Sequence, residues 1–127
     1  MEAELKQMVA DLGLSDKVYF EGFQMNVHNY IRNSDLALIP SIAEGFCAVV
    51  LEAYHNETPV MAFDVPALNE IIFHQETGVI VKKFDHDDLV RSIEDVFNRP
   101  EHYREIAKKG NEKLHSYFTI DRMVNQI

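Results

Sequence analysis

The sequence predicts an α/β fold in which a Rossmann-like parallel sheet of about four strands is flanked by helices. Short apolar runs alternate four times with helix-length segments, which is typical of this class. Two of those runs, within residues 35–40 and 59–63, are apolar nearly throughout, as expected of strands covered on both faces. The chain has 127 residues, of which 46% are apolar, and this is enough for one domain with a sizeable core.

Each element has its own local signal. Apolar residues at helical spacing predict a first helix over residues 2–12, and Gly13 is placed to end it. Asp85 is a predicted N-cap, and Pro100 suits the first turn of a helix. The predicted strands are residues 17–21, 35–40, 59–63 and 78–81. The further predicted helices are residues 27–33, 46–55, 67–73, 85–97 and 100–117, with a last short helix capped by Thr119.

Composition and charge exclude several classes of protein. The formal net charge is -9 with no basic stripe, so we expect no nucleic-acid partner and no electrostatic binding to anionic membranes. No window of about 20 apolar residues predicts a membrane span, and the acidic start of the chain is unlike a signal peptide. Cys47 is the sole cysteine, which excludes an internal disulfide and fits a reducing compartment. We therefore expect a cytoplasmic protein.

The loop after residues 35–40 is the first candidate for a ligand site. In open parallel sheets, ligands bind beyond the carboxyl ends of the strands. Here the loop leads into the predicted helix 46–55, and Gly45 lets a ligand approach the backbone closely. The amides of Gly45, Phe46 and Cys47 would point out of the helix N-terminus, which is an arrangement suited to phosphate.

Two carboxylates, Glu44 and Glu52, flank this loop. On a helix, eight residues of separation would leave them ~80° apart around the axis, so that one ligand could meet both. Carboxylates only accept hydrogen bonds and therefore suit a vicinal diol, such as that of a ribose or a hexose. From spacing alone the plainer alternative is favoured, in which Glu44 is a helix-start charge and Glu52 is solvated.

Several segments in order resemble a known family. They are Asp35–Ser41, Glu44-Gly45-Phe46, Leu51-Glu52-Ala53, Pro59-Val60, Glu70-Ile71-Ile72 and Thr77-Gly78. The string resembles the C-terminal domain of the family 4 glycosyltransferases, which have the two-domain GT-B architecture. Residues 18–22 resemble the preceding strand of that domain, and the likeness runs from about residue 5 to the end of the chain.

The resemblance implies glycosyl transfer from a nucleotide diphosphate sugar, with UDP or GDP as the expected nucleotide, to an acceptor with retention of configuration. It implies no metal and no other cofactor, because the helix dipole and basic residues hold the diphosphate in this family. The acceptor would bind to an N-terminal domain. Bacterial polysaccharide or lipid-linked glycan assembly is the expected setting, with the full-length enzyme cytoplasmic or peripheral to the membrane.

The same resemblance assigns roles to individual residues. Glu44 would contact hydroxyls of the donor sugar as the catalytic residue, and Glu52 would hold the ribose hydroxyls. Glu70 would order the site loop from behind. The other donor-binding positions would come from two loops, one near the phosphates and one near the base: Ser41, Gly45, Phe46 and Cys47, and then Gly22, Phe23 and Gln24.

This sequence departs from the family in three ways. Cys47 stands where the family has glycine, so its side chain either crowds the sugar or packs beneath the loop as an inert thiol, the favoured alternative. Glu57 replaces a glycine before the turn at Thr58. Two strand–helix segments and the acceptor domain are missing, so we expect residues 1–127 to be a partial donor-binding domain, inactive by itself. The strand ending at Pro40 would then have a bare edge, which predicts self-association.

Three alternatives remain. The chain could be a non-catalytic nucleotide-binding fragment, which an activity assay with the missing half would separate from the enzyme. A receiver domain needs an acidic pair after its first strand, and none follows residues 18–22. A sugar-nucleotide epimerase or glycogen-phosphorylase relative shares the architecture, but the pairing of Glu44 with Glu52 favours the transferase. The six histidines show no metal spacing and are expected to be surface or core residues.

Overall fold

A three-stranded parallel sheet organises the part of the chain that the computed structural model describes, residues 1–45 and 47–116. The strands are β1 Ala37–Ile39, β2 Val60–Phe63 and β3 Val79–Val81, hydrogen-bonded in the order β1-β2-β3. Leu38 of β1 stands opposite Met61 of β2, and Ala62 of β2 stands opposite Ile80 of β3. The parallel α/β class predicted from the alternation of apolar runs is therefore confirmed.

Helices connect and flank the strands. They are α1 Glu2–Asp11, α2 Val27–Arg32, α3 Ala48–His55, α4 Pro66–Asn69, α5 His86–Asn98 and α6 Pro100–Ser116. Each crossover from one parallel strand to the next contains a helix, as parallel pairing requires. None of the helices in residues 1–45 and 47–116 has the length and the apolar run that crossing a bilayer would need.

The sheet separates two apolar clusters, because alternate residues of a strand point to opposite faces. The first face packs against α2, α3 and α4, and its cluster includes Ile31, Ile39, Val50, Ala53, Tyr54, Val60, Ala62 and Leu68. The second face packs against α5 and α6, and its cluster is Met61, Val79, Val81, Val96, Tyr103 and Ile106. Burial of both faces of β2 explains why its sequence is apolar without alternation.

Local signals set several of the boundaries as predicted. The Asp85 carboxylate accepts a hydrogen bond from the Asp88 amide at 2.9 Å, so Asp85 is the N-cap of α5. Gly13 has φ +66°, and its amide donates to Ala10 O just beyond α1. That left-handed conformation is the usual end of a helix, and it suits a residue with no Cβ.

Helix α6 docks on α3 through a close contact at Gly110. A Cβ at this position would lie 2.5 Å from Cδ1 of the Tyr54 ring. The buried Tyr54 hydroxyl donates to Ile71 O at 3.0 Å and lies 2.7 Å from Thr77 Oγ1, which accepts from the Phe73 amide. Burial raises the pKa of Tyr54 to about 12. These bonds join α3 to the segment that leads into β3.

Three predicted elements need correction. Residues 17–21 are not a strand: the Val18 amide bonds back to Leu14 O, and no described strand lies beside them to complete a ladder. The sheet accordingly has three described strands rather than four. The helix predicted over 46–55 begins at Ala48, and the one predicted over 67–73 is the short α4. The last short helix, with its predicted cap Thr119, lies outside the described residues, as does residue 117 at the end of the helix predicted over 100–117.

Candidate functional site

The carboxyl ends of the three strands meet at one edge of the sheet. The segments that leave this edge are residues 40–47 after β1, residues 64–65 after β2 and residues 82–85 after β3. The Asp64 amide donates to Val81 O at 2.8 Å and so holds the ends of β2 and β3 together. This is the edge at which open parallel sheets bind ligands.

The loop after β1 presents free backbone donors. In residues 1–45 and 47–116, no acceptor takes a hydrogen bond from the amides of Gly45 and Cys47. Gly45 is exposed, and a Cβ there would meet nothing within 4 Å, so the space above this backbone is open. Ser41 is half-buried in the same loop. Phe46, which was predicted to supply a third amide, lies outside the described residues.

Helix α3 begins two residues later than predicted, and this changes part of the argument for the site. Cys47 is its N-cap and makes no side-chain capping bond. Glu44 therefore lies in the loop, ahead of the helix, and the ~80° separation expected from helical spacing does not apply to it. Gly45 also precedes the helix, so its amide belongs to the loop rather than to the helix N-terminus. Glu44 is half-buried and has no hydrogen-bond partner among the described residues.

Glu52, the second candidate carboxylate, lies on α3. It is half-buried, and its Oε2 atom is buried without a hydrogen-bond partner. Within the described ranges, no other buried side-chain nitrogen or oxygen lacks a partner. A buried carboxylate oxygen is costly unless it accepts a hydrogen bond, so such an atom needs an explanation. The expectation of a fully solvated Glu52 is wrong for this oxygen.

Cys47 is buried and packs in the apolar cluster on the first face of the sheet. Of the two alternatives weighed from the sequence, packing beneath the loop is the one confirmed. Its side chain points into the core, so it does not crowd the open space beside Gly45.

The loop predicted to receive the base follows residues 17–21. Gly22 has φ +64°, and Phe23 is 91% exposed. The Gln24 amide group donates to Glu21 O at 2.6 Å, which turns this side chain back into its own loop. Tyr30 of α2 donates to the Glu21 carboxylate at 3.3 Å, and the Glu21 charge is the largest cause of the raised pKa of Tyr30. No described hydrogen bond joins this loop to residues 40–47.

Glu70 is exposed at the C-cap of α4, immediately before Ile71, whose carbonyl receives the Tyr54 hydroxyl. Sequence reasoning did not single out Asp64 and Asn69 nearby. The Asn69 side chain donates to Asp64 Oδ1 at 2.6 Å, where β2 leaves the sheet. The signal that could have found Asp64 is the same as for Ser41, because each comes just after an apolar strand.

Three of the histidines lie close together on helices. His28, His55 and His115 lie in a row with ring centroids 6.5 Å apart, contributed by α2, α3 and α6. Across the described residues, no three His, Cys, Asp or Glu side chains are grouped so that they could hold a metal ion. The prediction of a metal-free site stays a prediction.

Together these features define a Rossmann-like α/β domain with a candidate ligand site at the carboxyl edge of its sheet. Residues 1–113 match the family described as glycosyl transferases group 1, and the chain belongs to that family. Its fold is that of a GT-B glycosyltransferase domain.

Two solved structures and one further relative show the likeness. Anabaena HepE in complex with UDP matches with a TM-score of 0.90 and 25% identity over 98% of this chain. The C-terminal domain of the group 1 glycosyl transferase LpcC from Francisella tularensis matches 94% of this chain and 63% of its own length, with a TM-score of 0.84 and 25% identity. The putative glycosyltransferase EpsD of Bacillus subtilis is 34% identical over 87% of this chain. The chain spans 29% of EpsD and 34% of HepE.

Proposed function

We propose that this chain is the donor-binding part of a retaining glycosyltransferase of family 4, and that it binds a nucleotide diphosphate sugar at the carboxyl edge of its sheet. The observation that carries the proposal is the buried Glu52 Oε2, which accepts no hydrogen bond from the described residues. A ribose hydroxyl would satisfy it once the atoms that cover this oxygen move aside, because a hydroxyl donates and a carboxylate can only accept.

The diphosphate would lie across the start of α3. The amides of Gly45 and Cys47 are unused in the described structure and can donate to phosphate oxygens. The positive end of the α3 dipole would attract the negative charge of the diphosphate, even though the net charge of the chain is negative. As the glycosidic bond breaks, negative charge develops on the leaving diphosphate. Fixed amides at that position would stabilise the transition state more than the ground state.

Glu44 would act at the sugar end of the donor. It lies in the loop beside Gly45, half-buried and without a described partner, so its carboxylate is available to sugar hydroxyls. Ser41 would shape this loop, with the loop around Gly22, Phe23 and Gln24 holding the base through backbone atoms and Glu70 supporting the site from behind. No metal takes part in this proposal.

UDP is the first nucleotide to test, since the HepE structures contain UDP and UDP-glucose, and GDP is the second. Because the chain spans about a third of its relatives, we assign acceptor recognition to the part of such enzymes that it does not cover. The chain by itself is then expected to bind the donor and to transfer nothing. An assay in which that missing part is supplied separately distinguishes this enzyme role from a purely binding role.

Calorimetric titration with UDP, GDP, ADP and TDP tests the proposal directly. We expect one nucleotide to bind, and Glu52→Gln to weaken that binding at least tenfold, because a hydrogen bond to a charged group contributes about 1.5–3 kcal/mol and about 1.4 kcal/mol corresponds to tenfold. Glu112→Gln on α6 is the matched control, because it removes the same charge from an exposed residue and should leave binding unchanged. Equal binding by wild type and Glu52→Gln, or binding of no nucleotide, would overturn the proposed role of this chain.

A further inference from the structure

Helix α3 is anchored at its carboxyl end by a side chain of α6. The last carbonyl groups of a helix have no partner within it. For the His55 carbonyl, the next donor along a helix would be residue 59, but this is a proline and has no amide hydrogen. The side-chain amide of Asn111 on α6 donates instead to His55 O at 3.3 Å, and it also donates to Tyr54 O at 3.0 Å. A residue distant in the sequence thus completes the end of α3.

The neighbour of Asn111 on α6 determines how closely the two helices approach. Gly110 has no Cβ, and the Tyr54 ring fills that space, since a Cβ at Gly110 would lie 2.5 Å from Cδ1 of the ring. Both residues are buried. The glycine contact therefore sets the distance between α6 and α3. The two Asn111 bonds oppose rotation of α3, because they hold successive carbonyl groups that point about 100° apart around the helix axis.

The amino end of α3 has no comparable hydrogen-bonded anchor. Its N-cap, Cys47, makes no side-chain capping bond, and the amides of Gly45 and Cys47 meet no acceptor in residues 1–45 and 47–116. The eight residues of α3 span about 12 Å at 1.5 Å per residue. Asn111 therefore holds the end of the helix that lies away from the proposed diphosphate position.

Glu52 lies on α3 about one turn before its last residue, His55. The Glu52 carbonyl accepts a hydrogen bond from the Asn56 side chain at 2.8 Å, so it belongs to the same hydrogen-bonded end of the helix. A binding side chain needs to be held within about 0.5 Å of its productive position, and the residues that support it provide this precision. Loss of the Asn111 bonds would let the end of α3 move and carry Glu52 with it.

We propose that Asn111 is a positioning residue for the nucleotide site, because its bonds to the carboxyl end of α3 hold Glu52 in place. The inference rests on the proposed function, since it needs Glu52 to bind the nucleotide. Asn111 acts through α3 and does not touch the donor. Its role requires hydrogen-bond donation, so leucine, which has a similar size and cannot donate, is the substitution that removes it.

A double-mutant cycle read by calorimetric titration with UDP tests this role. At a temperature at which urea unfolding shows every variant to be folded, Asn111→Leu should raise the dissociation constant about fivefold in the wild-type background and leave it unchanged in the Glu52→Gln background. A residue that only stabilises the fold would have the same effect in both backgrounds. Asn98→Leu, at an exposed position at the end of α5, is the control and should change neither value.

The amide NMR spectrum of the chain without nucleotide tests the positioning separately. Asn111→Leu should shift the amide resonances of α3 from its last turn back through Glu52 to Ala48, while those of α1 stay in place. Shifts confined to the last turn of α3 would overturn the proposal, and so would an equal loss of UDP affinity in both backgrounds. If the wild type binds no nucleotide, the proposed function fails, and the NMR comparison still decides whether Asn111 holds Glu52 in place.

Discussion

Residues 1–26 and residues 27–116 behave as two different kinds of structure within one short chain. In the first, α1 buries none of its residues, and Phe23 is almost fully exposed. In the second, two apolar clusters enclose a parallel sheet, and Tyr54, Met61 and Leu68 are completely buried. Both regions contain many apolar residues, but a core forms only where helices of the chain cover the two faces of the sheet. Substitutions should separate the two regions by the size of their effect on unfolding.

The largest effect is expected from Gly110→Ala. Its new Cβ would lie 2.5 Å from the Tyr54 ring, which is buried and cannot move aside freely. Overpacking of this kind costs about 1–3 kcal/mol, read from the urea midpoint of unfolding. Gly45→Ala is the control, since nothing lies within 4 Å of its Cβ position. If both variants unfold at the same urea concentration, Gly110 of α6 does not pack against Tyr54 of α3 as closely as the structure indicates.

Tyr54→Phe should come next, at about 1–2 kcal/mol, because it removes the side-chain donor to the buried Ile71 carbonyl and one of the two hydrogen bonds of the Thr77 hydroxyl. It should also change the pH dependence of unfolding. Burial raises the pKa of Tyr54 from its ordinary value of 10 to about 12, so between these pH values the unfolded chain releases a proton that the folded chain keeps. Stability should therefore fall as pH rises through this window, by about 1.4 kcal/mol per unit. A wild type and a Tyr54→Phe variant with parallel stability curves above pH 10 would contradict this.

Glu57→Gly should stabilise the chain. Glu57 has φ +52°, a left-handed conformation that strains residues with a Cβ. It is exposed, so glycine should relieve the strain with little loss of packing, for a gain of about 0.5–1 kcal/mol in thermal or urea unfolding. Glu76→Gly, at an exposed residue without a positive φ, should give no gain. A destabilised Glu57→Gly would contradict the assignment of backbone strain to this position.

The smallest effects should lie in residues 1–26. Leu5→Ser and Met25→Ser should change the unfolding free energy by less than about 0.5 kcal/mol, because both side chains are exposed. Amide hydrogen exchange sharpens the test. The amides of α1 should exchange close to free-chain rates, while those of α3 are protected by the full unfolding free energy. Equal protection in α1 and α3 would show that both regions belong to one cooperative unit.

The sequence predicted the elements that carry strong periodicity or a clear cap. The apolar runs at 35–40 and 59–63, the cap at Asp85 and the stop at Gly13 were all correct, because their signals are local. The prediction of a strand over residues 17–21 was wrong for a non-local reason. A strand needs a hydrogen-bonded neighbour, and the side-chain pattern of the segment cannot show whether one is present.

The candidate site was likewise predictable only in part. Its position could be predicted, since it depends only on which edge of a parallel sheet faces the loops. The burial of Glu52 Oε2 could not, because it depends on the packing of α3 against the rest of the domain. The orientation of Cys47 likewise needed the core around it. The roles of Glu44, Ser41, Gly45 and Glu70 stay predictions.

The buried oxygen of Glu52 also has a consequence for the lifetime of the chain. While it accepts no hydrogen bond, it raises the free energy of the folded state, so Glu52→Leu should be more stable than wild type in the absence of ligand. A nucleotide present at 100 times its dissociation constant would add about 2.7 kcal/mol to the unfolding free energy. Degradation that proceeds through the unfolded form would slow accordingly. If the proposed donor site is correct, the supply of donor would affect how long the chain survives as well as how often its site is filled.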